Sequence, residues 1–358
     1  MGIDLLRRPE DASADWLTAV MRESGAASNE SAVTQYDAAA IGTGQMSRSY
    51  RFELGWDDRA PAGPPSVVIK VAASDDTSRA TGVGLGIYER EIRFYREVAP
   101  RIGGPLATSH LALYEAQAGW FTLVLEDAAP ARQGDQIAGC TIEEARLAMR
   151  ELAQIHAPVW NDEQLDATDW LNQPSVVDKT IVRQLLSGFI ERYDARLARD
   201  HRAVVEHFVD RLDPWLEERP RPFSIVHGDY RLDNMLFGKG RSSKPLTVVD
   251  WQTVSWGPPL VDVSYFLGAG LTVDDRRAHE DALVRDYYHR LTDLGVEGFS
   301  WDACWERYRR HAFHGVLMSV IAPMLVVRTD RGDDMFMTSL ARHAQQILDL
   351  QAEELLAA

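Results

Sequence analysis

The stretch Ile225-Val-His-Gly-Asp-Tyr-Arg-Leu-Asp-Asn-Met-Leu-Phe237, followed by Leu246-Thr-Val-Val-Asp-Trp-Gln252, constrains this chain more than any other. Polar residues stand at fixed offsets between short apolar, strand-like runs. Asp229 precedes Asn234 by five positions, and Asp250 closes the second run. The intervening Gly238-Lys-Gly-Arg-Ser-Ser243 is a turn, and a hairpin of that length would fold Asp250 back beside Asn234. An amide oxygen and a carboxylate, with another carboxylate nearby, suit Mg²⁺. That ion is held by one or two carboxylates and leaves positions for substrate phosphates. The bland alternative is a polar loop between strands, but His, Asp and Asn at matched offsets before an apolar strand ending in Asp-Trp are more specific than that.

The rest of the chain predicts an α+β fold in two parts. Residues 11–24 have the spacing of a short helix, with Trp16, Leu17 and Val20 on one face. Tyr36 to Ile41 and Ser49 to Leu54 flank a Gly-rich turn, Gly42-Thr-Gly-Gln-Met-Ser47, in a hairpin pattern. Residues 55–65 are a Gly- and Pro-containing loop. Val67-Val-Ile-Lys-Val71 has buried-strand composition with one lysine inside it. Residues 73–86 are polar and Gly-rich, and Val83-Gly-Leu-Gly-Ile87, with no strand before it, is a loop rather than a dinucleotide motif. Tyr88 to Val98 is a helix and Trp120 to Leu125 a strand. From Thr141, whose spacing to Glu144 is that of a capping box, helices dominate. They are expected near 175–195, 200–218, 275–295, 301–322 and 334–355, interrupted by short strands at Phe223 to Val226 and Leu246 to Val249. The boundary is expected near 126–131.

With 358 residues, a single core is improbable on size alone, so two lobes are the first expectation. The net charge of −16 repels nucleic acid and anionic lipid, so neither is an expected partner. An acidic surface attracts cations, but it is more often a solubility feature. Cys140 and Cys304 are far apart and outside any C-x-x-C pair, which fits a reducing compartment. No apolar run has membrane-spanning length, and the first ten residues lack a secretory pattern. A cytoplasmic protein is expected.

Phosphoryl transfer needs a metal to neutralise developing charge and a carboxylate to accept the attacking hydroxyl's proton. The Asp-to-Asn offset of His227-Gly-Asp229-Tyr-Arg-Leu-Asp-Asn234 equals that of the protein-kinase catalytic loop. The stretch resembles the aminoglycoside phosphotransferase-like family, whose members share the protein-kinase-like fold. Leu-Glu-Asp at 125–127 and Asp-Trp-Gln at 250–252 look most similar to the ecdysteroid-kinase-like branch. The phosphotransferase-like domains attached to some acyl-CoA dehydrogenases are also close. The resemblance runs from about the Gly-rich turn to the helices after Asp262 and is most specific in 225–267. It implies a bilobal fold: a small β-rich N-lobe over 1–127 and a larger, mainly helical C-lobe over 128–358.

By that resemblance Asp229 is the catalytic base, and Asn234 and Asp250 hold Mg²⁺. His227 braces the loop, and Asp262 ties it down from a helix start. Lys70 matches the lysine that holds the α- and β-phosphates of ATP, with GTP left open as donor. Inside an apolar strand its ammonium needs a partner. The pattern Glu91-x-x-Phe-Tyr95 favours Glu91, with Glu89 and Glu97 as competitors; a lysine on an edge strand facing water is the alternative. Gly44 and Ser47 belong to the phosphate turn, which departs from the protein-kinase form and is otherwise a plain hairpin turn. The backbone at Glu126 and Ala128 lies in a hinge that would meet the adenine edge. Arg231 stands where it would either stabilise transferred phosphate or pair with Asp233. His156 is expected to be a packed core histidine.

Asp262 follows Asp250 within twelve residues, which leaves no long activation segment. That points to a small hydroxylated acceptor rather than a protein. Asp274, Asp275, Asp330, Asp333 and Asp334 are candidates to face a cationic acceptor. Trp301, Trp305, Phe313 and Met318 line an apolar pocket or are core. Aminoglycosides, sterol-like alcohols, sugars and hydroxyacyl thioesters stay open. A nucleotide-binding module without catalysis and a metal-dependent phosphate hydrolase are the competing functions.

Overall fold

The computed structural model describes residues 2–42, 46–57, 62–173, 178–240 and 244–356. The chain divides into two compact units. The first comprises Met1–Arg101, Leu106–Pro130 and Thr247–Thr253; the second comprises Ile102–Pro105, Ala131–Leu246 and Val254–Ala358.

The first unit is built on five strands: β1 (Val33–Ile41), β2 (Ser47–Trp56), β3 (Ser66–Ala72), β4 (Ser109–Glu115) and β5 (Trp120–Glu126). Their order is β1-β2-β3-β5-β4, with every neighbouring pair antiparallel. Alternate residues of a strand face opposite sides of a sheet. In β3 this sends Val67, Ile69 and Val71 into a core with Phe52, Val124, Leu17, Val20 and Met21. The last three come from the helix Ala14–Glu23, whose Ser13 side chain caps the amide of Trp16. Lys70, out of phase with them, points to the other face. The sequence reading omitted β4, an edge strand of intermediate burial whose short apolar run, Leu111 to Tyr114, does not alternate.

Residues 73–86 are not all loop. Asp76–Gly84 is a helix, started by the Asp75 side chain accepting from the Ser78 amide. Val83 and Gly84 end it, and Gly86, at φ 68°, turns the chain into the helix Ile87–Arg93. The caps outweigh the weak helix propensity of Thr, Ser and Gly. That second helix passes into a π-turn over Phe94–Val98. The expected loop 55–65 likewise begins later, because β2 runs on to Trp56.

The second unit is mainly helical. Thr141 and Glu144 form the expected capping box at the start of Ile142–His156. Lys179–Tyr193, Val273–Asp293 and Asp330–Asp349 match the other expected helices to within a few residues. The run 200–218 breaks at Arg211 into Arg199–Asp210 and Leu212–Glu217, and 301–322 breaks at Ala312 into Trp301–His311 and Phe313–Leu325. Phe189, Tyr193, Val205, Phe208, Phe313, Val316, Leu340 and Ile347 form the core between these helices. Leu260–Gly270 is buried along nearly its whole length, so it lacks the one-sided pattern that reveals a surface helix. Short strands frame the motif region: Ser224–Val226 pairs with Ser255–Gly257, and Arg132–Gln133 pairs with Met235–Phe237. No helix among the described residues is long and apolar enough to cross a membrane.

Candidate functional site

In the first unit, Lys70 sits in an interior strand, between β2 and β5, not at an edge. Its Nζ lies 2.8 and 2.7 Å from the two oxygens of Glu91 and 2.7 Å from Oδ1 of Asp250. An ammonium has three donors, and all three are engaged. Lys70 and Glu91 are both buried. Burial works against the charge on Lys70, but Asp250 and Glu91 outweigh it and hold its pKa above the ordinary lysine value. Burial pushes the Glu91 carboxyl up, and Lys70 opposes the shift. Glu89 and Glu97, the competing partners, both pair with Arg93 instead.

Asp250 adopts a left-handed backbone, φ 67°, which is uncommon outside glycine. Its Oδ2 accepts from Gln252 Nε2 at 3.2 Å. The next residue, Trp251, lies flat on Phe94 and donates from its indole to the Val248 carbonyl. Phe94 directly follows the helix that carries Glu91.

Gly42 opens the Gly-rich turn at φ 72°, while Gly44 falls outside the described residues. Ser47 begins β2, is buried, and lies in register with Ala72. The Tyr88 hydroxyl donates to the Met46 carbonyl, and the Tyr88 ring fills space that a Cβ on Gly82 would enter, 2.4 Å away. Tyr88 thus fastens the described shoulder of the turn. Glu126 ends β5; its carboxylate accepts from the amide and hydroxyl of Thr108. Asp127 accepts from Arg51 at 2.6 Å, from Ser66 at 2.8 Å and from the Ala129 amide at 3.0 Å. Burial would raise the Asp127 carboxyl, but these donors hold it below the usual carboxylate range. The backbone through Ala128 is therefore bracketed on both sides.

In the second unit, Asp229, Arg231 and Asn234 meet. Asn234 Nδ2 donates to the carboxylate and the backbone carbonyl of Asp229, 2.9 Å each. The amide carbonyl is then the oxygen that Asn234 would offer a cation. Arg231 bridges Asp229 at 3.0 Å and Asp233 at 3.1 Å, so the ion pair with Asp233 is present. Burial disfavours the guanidinium charge, but Asp229 leads the groups that hold its pKa above the ordinary arginine value.

The loop backbone is pinned from several directions. Asp262 is fully buried and accepts from the amides of His227 at 2.6 Å and Gly228 at 2.9 Å. His227 in turn accepts from the Asp229 amide through Nδ1 at 3.2 Å. His314 Nε2 donates to the Gly228 carbonyl at 2.9 Å; burial lowers its pKa, which keeps it neutral. On the other side, Gly134 donates to the Met235 carbonyl, and Gln136 Oε1 accepts from Leu232. A Cβ on Gly134 would meet the Leu232 carbonyl oxygen at 2.5 Å, so only glycine lets these backbones approach so closely. His156 is a buried core residue whose Nδ1 meets the Tyr287 hydroxyl at 2.8 Å.

Sequence reasoning missed Tyr88, Gln136, Tyr265 and His314, and gave Asp127 a place in the Leu-Glu-Asp motif but not its contacts. Gly134 and Gly82 were the available signals, but an isolated glycine does not reveal what lies against it. Two of the acidic candidates are engaged by other partners. Asp333 holds Tyr193 and Arg328, and Asp334 holds Arg196. Of the aromatic candidates, Phe313 is core, while Trp301 packs on Trp305 under Arg285.

A model of the ecdysteroid kinase-like family matches residues 44–296. A Caenorhabditis elegans protein described as an uncharacterized kinase-like protein is 26% identical over 172 residues, 46% of this chain and 45% of its own length. Acyl-CoA dehydrogenase family member 11 of Gallus gallus is 29% identical over 123 residues, 33% of this chain and 14% of that protein. The matches thus span less than half of either relative. Among solved structures, a proposed aminoglycoside phosphotransferase from Ralstonia eutropha superposes with a TM-score of 0.52 at 15% identity, covering 95% of this chain and 98% of the other. Plasmodium vivax ethanolamine kinase gives 0.50 at 12% identity, covering 89% and 84%. At such identities the likeness is one of fold.

Proposed function

The chain belongs to the ecdysteroid kinase-like family and has a protein-kinase-like fold, and on that footing we propose that it transfers the γ-phosphate of ATP to a hydroxyl of a small molecule. GTP is the alternative donor. The observation that carries this reading is the buried Lys70–Glu91 pair with Asp250 beside it. A metal-dependent hydrolase has no use for an ammonium held inside a sheet at the cost of its desolvation. A phosphate-holding lysine does.

In this reading Lys70, oriented by Glu91, meets the α- and β-phosphates. The turn containing Gly44 and Ser47 offers backbone amides and a hydroxyl to phosphate oxygens. The Glu126 carbonyl and Ala128 amide meet the adenine edge, on a backbone that Asp127 holds in place. Asp229 orients the acceptor hydroxyl. As the acceptor oxygen bonds to Pγ, the bond from Pγ to the bridging oxygen breaks, ADP leaves, and the hydroxyl proton passes to Asp229. Arg231, already against Asp229, steadies charge on the transferred group.

Among the described residues no group of three or more His, Cys, Asp or Glu side chains could hold a resident ion. That suits Mg²⁺ arriving with the nucleotide, since it uses few protein ligands. The Asn234 amide oxygen and the Asp250 carboxylate would hold it, and it would neutralise charge building on the phosphates. Asp333 and Asp334 already have arginine partners, so neither is left to face a cationic acceptor alone. A cytoplasmic setting accords with the free thiols of Cys140 and Cys304.

The test is an ATP-consumption screen over hydroxylated metabolites and antibiotics, with Asp229→Asn as the blank. Acceptor-dependent turnover that vanishes in the blank is expected. Nucleotide binding without turnover across the panel would favour a non-catalytic module, and full activity in Lys70→Ala would favour the hydrolase.

A further inference from the structure

The two oxygens of the Asp229 carboxylate have different surroundings. Oδ2 accepts from Asn234 Nδ2 at 2.9 Å and from Arg231 Nε at 3.0 Å. Arg231 Nε is also 3.0 Å from Oδ1, but its N–H is directed at Oδ2, where the hydrogen bond forms. Oδ1 accepts from the Tyr265 hydroxyl at 3.1 Å, its one hydrogen bond among the described residues. A carboxylate has about four acceptor positions, two per oxygen. Oδ2 is full, and Oδ1 has one position left.

Tyr265 is itself held in place. Its ring stacks on His343, centroids 5.3 Å apart and 3° from parallel, and meets His314 edge-on at 5.3 Å. His343 is fully buried between two helices that are bare of side chain where it lies: a Cβ on Gly268 would come 2.4 Å from its Nδ1, and one on Gly315 2.2 Å. Burial, and then Asp229, raise the Tyr265 phenol well above its ordinary pKa, so it remains a donor at neutral pH. Tyr265 also lies one turn beyond Asp262, which fixes the backbone of the same loop.

We propose that Tyr265 is a positioning residue that sets the rotation of the Asp229 carboxylate, so that Oδ1 receives the acceptor hydroxyl. The inference rests on Asp229 serving as the base of a phosphotransferase. One helix then holds both the loop before the base, through Asp262 on the His227 and Gly228 amides, and the reactive oxygen, through Tyr265. The His343 ring, wedged against two glycines, keeps the phenol from swinging away.

The test is Tyr265→Phe, which removes one O–H and keeps the ring. Transfer from Mg-ATP is measured with an acceptor found in the screen, or with water if none is found, beside Asp229→Asn. The expected result is a kcat lowered by roughly 10- to 100-fold, the scale set by a misplaced reacting group, with the KM for ATP unchanged. A crystal structure of the variant should show the carboxylate rotated. Wild-type kcat in Tyr265→Phe with Asp229→Asn inactive would overturn the positioning role and leave the base assignment standing. Wild-type activity in both would overturn the base assignment itself. A carboxylate unmoved in the variant crystal would also sink the proposal, whatever the rates.

Discussion

The indole of Trp251 lies parallel to the ring of Phe94, 7° off and 4.0 Å between centroids. This stack joins the residue after Asp250 to the chain just past Glu91. The two carboxylates that share Lys70 are thus held by aromatic packing as well as by charge.

Trp251→Ala should therefore do two things. Loss of a fully buried indole is expected to cost about 3–5 kcal/mol of stability. Asp250 should also lose its register with Lys70, weakening nucleotide binding beyond what stability explains. Denaturant melts and nucleotide titration below the melting temperature separate the two. An unaltered affinity in the folded variant would contradict the second effect.

Lys70 and Glu91 can be tested by a double-mutant cycle. Lys70→Met leaves Glu91 buried without its principal counter-charge, and should cost about 3 kcal/mol, the low end for a broken buried pair. Adding Glu91→Leu should recover most of that loss while nucleotide binding stays abolished. Additive costs in urea unfolding would mean that the two side chains are not coupled.

Asp262 has no conservative replacement. Asp262→Asn would turn an amide N–H toward backbone amides that need an acceptor, and Asp262→Ala would leave two buried N–H groups unpaired. Asp262→Ala should cost about 2–6 kcal/mol, taking roughly 1–3 kcal/mol per orphaned donor, and Asp262→Asn, which keeps one acceptor, about 1–3 kcal/mol. Turnover should fall further than nucleotide affinity. Equal losses in the two would argue that the helix merely packs.

Buried histidines give the stability a pH slope. Burial pushes His343 down to about 3 and His311 well below its ordinary value. Below about pH 6.5 the unfolded chain takes up protons at these positions that the folded chain refuses. Their contribution is whole above that pH and drains away as pH falls toward 3, by up to about 1.4 kcal/mol per unit for each group. Unfolding free energies at pH 7 and pH 5 should show the fall, and His343→Leu should flatten it. A flat profile in the unaltered protein would contradict the burial of both rings.

The residues of the proposed catalytic loop were legible because the chemistry expected of them fixes type and spacing together. Asp229, Asn234 and Arg231 stand at set offsets, and Lys70 stood out as a charge in an apolar strand. Glu91 could be chosen over Glu89 and Glu97 because a family pattern marked it. The roles of Tyr265 and Asp127 were not legible, although Asp127 stood in the Leu-Glu-Asp motif. Each acts through a contact far away in sequence, and a tyrosine in an apolar helix or an aspartate after a strand has many ordinary uses. The helix Leu260–Gly270 was marked only at its start, by the family resemblance at Asp262, because burial on all sides erases the periodicity that betrays a half-exposed helix. Asp76–Gly84 escaped because its stability comes from a cap and from the ring that fits against Gly82, not from helix-forming residues.

Asp250 already occupies the third donor of Lys70. If Lys70 holds nucleotide phosphate as proposed, an entering nucleotide would meet an incumbent: its phosphate would displace a tethered carboxylate, and binding would be an exchange of anions. The resident anion is present at a high effective concentration because it is part of the same chain. Metal-free nucleotide should consequently bind poorly, while a cation that draws Asp250 away from Lys70 would free the ammonium and strengthen binding. Metal and nucleotide would then be cooperative ligands through the movement of one carboxylate.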